Sequence, residues 1–340
     1  MVTKRVLLAF SGGIDSCAAI GLLRAQGYTP VAMTIDMLGD EQLIRQASES
    51  AERLGVELHI VDGRERFSQL VIANFIDEYR SGRTPAPCTR CNPAIKWQLL
   101  IERADELGIY YLASGHYFNV EQRDGRFYVL RGDDPRKDQS YYLWGLSQEV
   151  LARVVTPMGQ QIKESIRRDS FVERESMGIC FLRGMHYGEF IRSHIGEPIE
   201  GDIICNGDVV GRHNGIYNYT IGQRRGVGIP AGGRVVELIA ESNQIRVGDN
   251  SELFTDTLVV GECNFVDELE VMSSDEVSVM IRGIGLNPEG FAEVVINGDR
   301  ATVRLSSPAW AAAEGQPVVF YIKNRVVGGG YLVRSFDSSL

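Results

Sequence analysis

The chain has 340 residues, 44% of them hydrophobic, and a formal net charge of −10, which is enough for two or three domains with cores of their own. No stretch approaches the roughly 20 apolar residues of a membrane span, and the N-terminus enters a strand pattern without a signal-like apolar segment, so a cytoplasmic protein with no membrane partner is expected. Six cysteines are too few for a disulfide scaffold in so long a chain, which leaves their thiols for chemistry or metal binding.

From the N-terminus, short apolar runs alternate with amphipathic ones: Val6–Phe10 then Ala18–Gln26, Val31–Ile35 then Glu41–Leu54, Leu58–Val61 then Phe67–Tyr79, and Ile95–Leu107 then Tyr110–Ala113. This alternation predicts an α/β domain, a Rossmann-like parallel sheet wrapped by helices, over residues 1–195. Ligands of such sheets lie beyond the carboxyl ends of the strands, where Ser11–Ser16, Ile35 and Ser114–Tyr117 all fall. After Gly196 the texture changes to glycine-punctuated short strands, Ile203–Cys205, Val209–Gly211 and Tyr219–Gly228, which predicts a small central α+β module over 196–252. Strand-like alternation over Val277–Arg282, Ala292–Ile296, Ala301–Leu305 and Val318–Val326, ending at Gly328-Gly329-Gly330, predicts a C-terminal β-barrel or sandwich over 253–340.

The acidity argues at first against a nucleic-acid partner, because phosphate binding rests on lysine and arginine. Its distribution softens the objection: from Ala231 onward there are 16 acidic and 8 basic residues, so most of the excess is C-terminal. The remainder carries basic clusters at Arg80, Arg83, Arg90 and Lys96, at Arg131, Arg136 and Lys137, at Arg167 and Arg168, and at Arg224 and Arg225, which solvated faces would also produce.

Ser11-Gly12-Gly13-Ile14-Asp15-Ser16 lies between the first strand and a helix-like run. Glycines let the backbone approach an anion, and the N–H groups and dipole of the first helical turn face the same point, so this turn is a phosphate cradle suited to the pyrophosphate of ATP. It has neither the lysine of a Walker A loop nor the spacing of the dinucleotide fingerprint. The plainer alternative is a glycine turn with Asp15 and Ser16 as helix caps.

Arg83–Lys96 reads as a proline-broken loop carrying Cys88 and Cys91, and Met177-Gly178-Ile179-Cys180-Phe181 supplies a third cysteine far downstream. Together with SGGIDS, Ser114-Gly115-His116-Tyr117, Lys137-Asp138-Gln139-Ser140-Tyr141 and Tyr219-Thr220-Ile221-Gly222-Gln223-Arg224-Arg225-Gly226, these runs resemble, in order and over nearly the whole chain, the bacterial tRNA-specific 2-thiouridylases of the PP-loop ATP pyrophosphatase superfamily.

The resemblance implies ATP-dependent adenylation of the C2 oxygen of the wobble uridine in the tRNA anticodon arm, then displacement of AMP by sulfur. It implies a persulfide on Cys180, with Cys91 as the nucleophilic partner that frees the sulfur and pairs with Cys180 in a disulfide. ATP is implied at Ala9, Phe10, Ser11, Gly12, Gly13, Ile14, Asp15, Ser16, Ile35 and Gly115, with Asp15 helping to hold Mg²⁺, and tRNA at Ala86, Pro87, Cys88, Lys137, Asp138, Gln139, Arg282 and Gly283. The wobble base has to be turned out to be reached by both AMP and sulfur, and the sulfur has to come from a cysteine desulfurase or a relay protein.

Three departures stand out. Position 88 is a cysteine where many relatives carry aspartate, so Cys88, Cys91 and Cys180 could ligate a [4Fe–4S] cluster with one open iron, or zinc, or Cys88 could be a bystander. A cluster of that kind would serve a PP-loop thiolase acting on another base; a non-catalytic ATP- and RNA-binding protein is the other alternative. The segment after Asp36 is short, and the stretch from Lys163 to Glu175 is compressed. Cys17, Cys205 and Cys263 read as small buried hydrophobes, His116 as a structural histidine near the nucleotide, and Met33 and Met37 as sheet packing.

Overall fold

The computed structural model describes residues 4–168, 178–227, 233–283 and 286–334; Glu175 and Met177 lie outside them. The chain divides into two compact units, one of residues 1–72, 88–181 and 324–326, the other of 73–87, 182–323 and 327–340.

The first unit is built on a parallel sheet of strands β1 (Lys4–Ala9), β2 (Tyr28–Asp36), β3 (Leu58–Asp62), β4 (Tyr111–Ser114) and β7 (Val154–Val155) in the order β3-β2-β1-β4-β7. β1 is central, and its Val6, Leu7 and Leu8 are fully buried, as a strand covered on both faces requires. Helices α1 (Ile14–Ala25), α2 (Glu41–Leu54) and α3 (Trp97–Glu106) belong to this unit. Asp40 caps α2 by accepting from the backbone N–H groups of Gln42 and Leu43, and Gly55 ends it in the left-handed region at φ +57, the residue type that conformation favours. The order of connection reverses between β1 and β4, so the crevice beyond their carboxyl ends is the switch point where such sheets bind ligands.

Between β4 and β7 the sequence hides a hairpin, β5 (Phe118–Arg123) and β6 (Arg126–Arg131), turned at Asp124-Gly125 with positive φ at both residues. Arg325 pairs with Leu130 of β6 and sets its guanidinium 4.5 Å from the Tyr128 ring centroid. The expected proline-broken loop is helical from Pro87: a short helix Pro87–Cys91 runs into a wide π turn, Asn92–Lys96, and then into α3. Pro93 stands at the start of that turn, where its missing N–H and fixed φ are tolerated.

The second unit holds helix α5 (Tyr187–Ile195), a four-stranded sheet and a larger antiparallel sheet; α4 (Lys163–Arg168) precedes it in the first. The four strands, β8 (Gly201–Cys205), β9 (Asp208–His213), β10 (Arg234–Ile239) and β11 (Gln244–Gly248), run in the order β10-β11-β8-β9 around Ile203, Ile216, Tyr219, Val235, Ile245 and Val247. Helix Ala73–Arg80 joins this unit through aromatic contacts: Tyr79 stacks on Tyr187 at 4.8 Å, and Phe75 meets Phe190 edge-on at 6.2 Å.

The larger sheet runs β13 (Val277–Met280), β16 (Pro317–Ile322), β17 (Arg325–Arg334), β12 (Phe254–Phe265), β15 (Arg300–Trp310) and β14 (Ala292–Asn297). The single strand expected over Val318–Val326 is two, broken at Lys323 with φ +59. The expected terminal glycine run lies inside β17: a Cβ on Gly328 would meet Phe265 at 2.4 Å and one on Gly330 would meet Val260 at 2.6 Å, so these glycines let β12 and β17 pair closely. Tyr219–Val227 forms turns, not the expected strand, and Cys205 and Cys263 are only partly covered.

Candidate nucleotide and thiol site

Ser11–Ser16 has the expected strand–turn–helix form. β1 ends at Ala9, Phe10 donates its N–H to the Met33 carbonyl at 2.8 Å, and Gly12 takes φ +70. Gly13 occupies the cap position of α1 with no side-chain cap, which overturns the plainer alternative of Asp15 and Ser16 as caps. Ser16 instead donates its hydroxyl to the Gly13 carbonyl at 3.0 Å. β2 and β4 flank β1, so Ile35 and Gly115 end beside this turn. A Cβ on Gly115 would sit 3.0 Å from the Ser16 nitrogen, so only glycine lets that backbone abut the start of α1.

Asp15 is engaged by two side chains from elsewhere in the chain. Lys163, at the start of α4, places Nζ 2.7 and 2.8 Å from the two carboxylate oxygens, and the Tyr117 hydroxyl donates to Oδ1 at 2.8 Å. Lys163 is held in turn by the buried Asp134, which accepts its backbone N–H at 3.1 Å. The carboxylate is thus met by an ammonium on both oxygens, and a divalent cation carried in on ATP has the phosphate oxygens as ligands.

Cys88, Cys91 and Cys180 lie within electrostatic reach of one another and of Lys96. Burial pushes the Cys91 thiol up to about 12 against the opposing pull of Lys96. Cys180 is exposed, yet the surrounding protein still raises its thiol through desolvation, again opposed by Lys96. Desolvation would lower the Lys96 ammonium, but the three sulfurs outweigh it and the net direction is upward. Burial and Lys96 together depress His116 to about 3, so its ring is neutral; its Nδ1 lies 2.9 Å from the Ser114 hydroxyl.

All six thiols are free. Among the described residues, no group of three or more histidine, cysteine, aspartate or glutamate side chains is placed to hold a metal ion.

The residues expected to meet tRNA differ in what their side chains already do. Lys137 is exposed. Asp138 accepts from the backbone N–H groups of Gly132 and Ser140 and from the Ser140 hydroxyl, and Gln139 accepts the Tyr117 N–H at 2.9 Å, so both brace the loop that follows β6. Ala86 and Pro87 fall in the second unit and Cys88 in the first. Arg282, also in the second unit, donates to the Ala311 carbonyl and lies 5.6 Å from the Trp310 ring centroid; Gly283 beside it is exposed. Several arginines of the expected basic clusters are paired: Arg83 makes a two-pronged bond to Glu78, and Arg131 and Arg136 face Asp138 and Asp134. Local reading named Tyr117 within a motif and Lys96 within a basic cluster but gave neither these nor Lys163 its role, because Tyr117 and Lys163 meet Asp15 across more than 100 residues of sequence.

A glycine cradle at the switch point of a parallel sheet, with a thiol cluster in the same unit, defines a PP-loop enzyme of the HUP class. Family models agree: one described as a tRNA methyl transferase HUP domain matches residues 4–184, a tRNA methyl transferase PRC-barrel domain matches 188–249, and an aminomethyltransferase β-barrel domain matches 255–332. The chain is 39% identical to tRNA-specific 2-thiouridylase MnmA 3 of Bacteroides fragilis, over 97% of this chain and 94% of that protein. It is 38% identical to tRNA-specific 2-thiouridylase MnmA of Geobacter metallireducens (97% and 96%) and 36% identical to that of Natranaerobius thermophilus (98% and 99%). The chain belongs to the MnmA family of tRNA-specific 2-thiouridylases. Among the described residues, no helix is long and apolar enough to cross a membrane.

Proposed function

We propose that this protein is a tRNA 2-thiouridylase: it uses ATP to activate the C2 oxygen of the wobble uridine and replaces that oxygen with sulfur. The observation that carries the reading is the placement of Cys91 and Cys180 within electrostatic reach of one ammonium, Lys96, in a chain similar over nearly its whole length to 2-thiouridylases. The uridine O2 attacks the α-phosphorus, the bond to the bridging oxygen breaks, pyrophosphate leaves, and the base loses its N3 proton. The adenylate oxygen is then a good leaving group, as the carbonyl oxygen was not.

Sulfur arrives as a persulfide on Cys180. The Cys91 thiolate attacks Cys180 Sγ, a Cys91–Cys180 bond forms, and the terminal sulfur leaves as hydrosulfide, which adds to C2 and expels AMP. The disulfide takes two electrons from a dithiol reductant to restore both thiols. The ammonium of Lys96 stabilises the anionic sulfurs as they form. His116, neutral, has one ring nitrogen near Ser114 and can pass a hydrogen bond to the base without adding charge. A cysteine desulfurase or relay protein supplies the persulfide sulfur, in the cytoplasm. On this reading residues 1–195 carry the chemistry, 196–252 and 253–340 hold tRNA, and Ala86–Cys88, Lys137–Gln139, Arg282 and Gly283 approach it.

The test is 2-thiouridine formation in unmodified tRNA with ATP and a persulfide donor. Cys180→Ala and Cys91→Ser are expected to abolish thiolation while tRNA binding stays within about twofold of the parent. Undiminished thiolation by either variant would overturn its assignment. Protein purified without oxygen is expected to carry no iron; about four irons per chain, with activity lost on chelation, would replace the persulfide by a cluster.

A further inference from the structure

We infer that Lys163 is the phosphate-binding lysine of the nucleotide site, supplied from the far end of the first unit to a glycine turn that has no lysine of its own. The inference rests on the nucleotide reading above and says which side chain meets the phosphates. Backbone N–H groups and a helix dipole offer only partial positive charge to a triphosphate, and a departing pyrophosphate gains charge as its bond breaks. Phosphate-binding glycine turns of the Walker type meet that demand with a lysine inside the turn; Ser11–Ser16 contains none.

The fold places one there. Lys163 Nζ lies 2.7 Å from Asp15 Oδ1, in the first turn of α1, although 148 residues separate the two in sequence. Three features hold the ammonium at that spot. Asp134 fixes the Lys163 backbone at 3.1 Å, Asp15 grips the charge with both oxygens, and the Tyr117 ring lies 5.9 Å from Nζ while its hydroxyl bonds the same carboxylate. The lysine side chain is 7% exposed against 31% for Asp15, so the pair is covered on the lysine side and open on the carboxylate side. An ammonium held in place this way loses little freedom when it meets a phosphate oxygen. Asp15 is then a positioning residue for Lys163, which accounts for a carboxylate beside a site that binds anions.

The experiment compares ATP, AMP and pyrophosphate binding to the full chain by calorimetry, without tRNA. Lys163→Met is expected to weaken ATP and pyrophosphate about tenfold or more while AMP stays within about twofold, because AMP lacks the phosphates the ammonium meets. Lys163→Arg, which keeps the charge, is expected to recover most of the ATP affinity, and Asp15→Asn to weaken ATP without altering the Mg²⁺ concentration needed for half-maximal binding. Equal loss of ATP and AMP in Lys163→Met, with an unchanged melting temperature, would make the pair a structural brace and overturn the inference, as would unchanged ATP binding. A parent protein that binds no ATP would overturn the nucleotide reading itself. If Lys163→Met does not fold, Lys163→Arg decides: ATP and AMP affinity falling together would overturn the inference, and near-parent ATP affinity would support it.

Discussion

A Cβ built on Gly12 would lie 2.8 Å from the Cα of Ala47 in α2. The contact is with backbone, so no side-chain rotation relieves it, and the φ of +70 at Gly12 adds a second barrier to any other residue. Gly12→Ala is expected to cost about 1–3 kcal/mol of stability and to lower ATP affinity, because the turn that faces the phosphates has to move away from α2. Denaturant unfolding with ATP titration on the same sample checks both. Parent-like stability would show that α2 can shift at no cost.

The thiols give a prediction in pH. With the Cys91 thiol pushed up to about 12, its thiolate fraction rises about tenfold per pH unit through neutrality. Alkylation of Cys91 by iodoacetamide is expected to climb with that slope between pH 7 and 9. Lys96→Met removes the charge that opposes burial and is expected to slow alkylation of both Cys91 and Cys180 by about tenfold at pH 8. Peptide mass spectrometry reads each cysteine separately, and a rate that does not change on removal of Lys96 would dissociate the lysine from the thiols.

His116 contributes a stability that depends on pH with a definite sign. Its folded value of about 3 lies below the ordinary 6.5, so between those values the unfolded chain binds the extra proton. The contribution is present above pH 6.5 and is lost as pH falls towards 3, by roughly 1.4 kcal/mol per unit at most. Unfolding free energies measured from pH 7 to 4 are expected to fall less steeply in His116→Gln than in the parent protein.

Arg282 has a structural task whatever it does with RNA. Its guanidinium bonds the Ala311 carbonyl and lies over Trp310, and Arg234 lies 5.5 Å from the same ring while donating to the Gly222 carbonyl at 2.9 Å. Arg282→Ala is expected to lose about 1–2 kcal/mol of stability from one cation–π contact and one hydrogen bond. Any fall in tRNA affinity in that variant has to be compared with its melting temperature; Trp310→Leu, which removes the ring and keeps the charge, separates the two.

Much of this protein was legible from its residues in order. The alternation of apolar and amphipathic runs predicted the parallel sheet, because buried strands and amphipathic helices leave their periods in the chain. SGGIDS predicted the cradle, because a glycine at positive φ before a helix is a local matter. Cys88, Cys91 and Cys180 were singled out by the resemblance to the 2-thiouridylases rather than by a local signal. Local signals failed where packing between distant segments decides conformation: Gly328 and Gly330 read as the end of a strand pattern and lie inside β17, since what they accommodate is β12, more than 60 residues earlier. The partners of Asp15 are the clearest case. Nothing between residues 11 and 16 says that the carboxylate will meet Lys163 and Tyr117, and nothing around Lys96 says that its ammonium will lie among three sulfurs. Those charges are placed by the order of the strands and the capping of α4 by Asp134, and only the tertiary structure brings them to the residues that the sequence had already singled out.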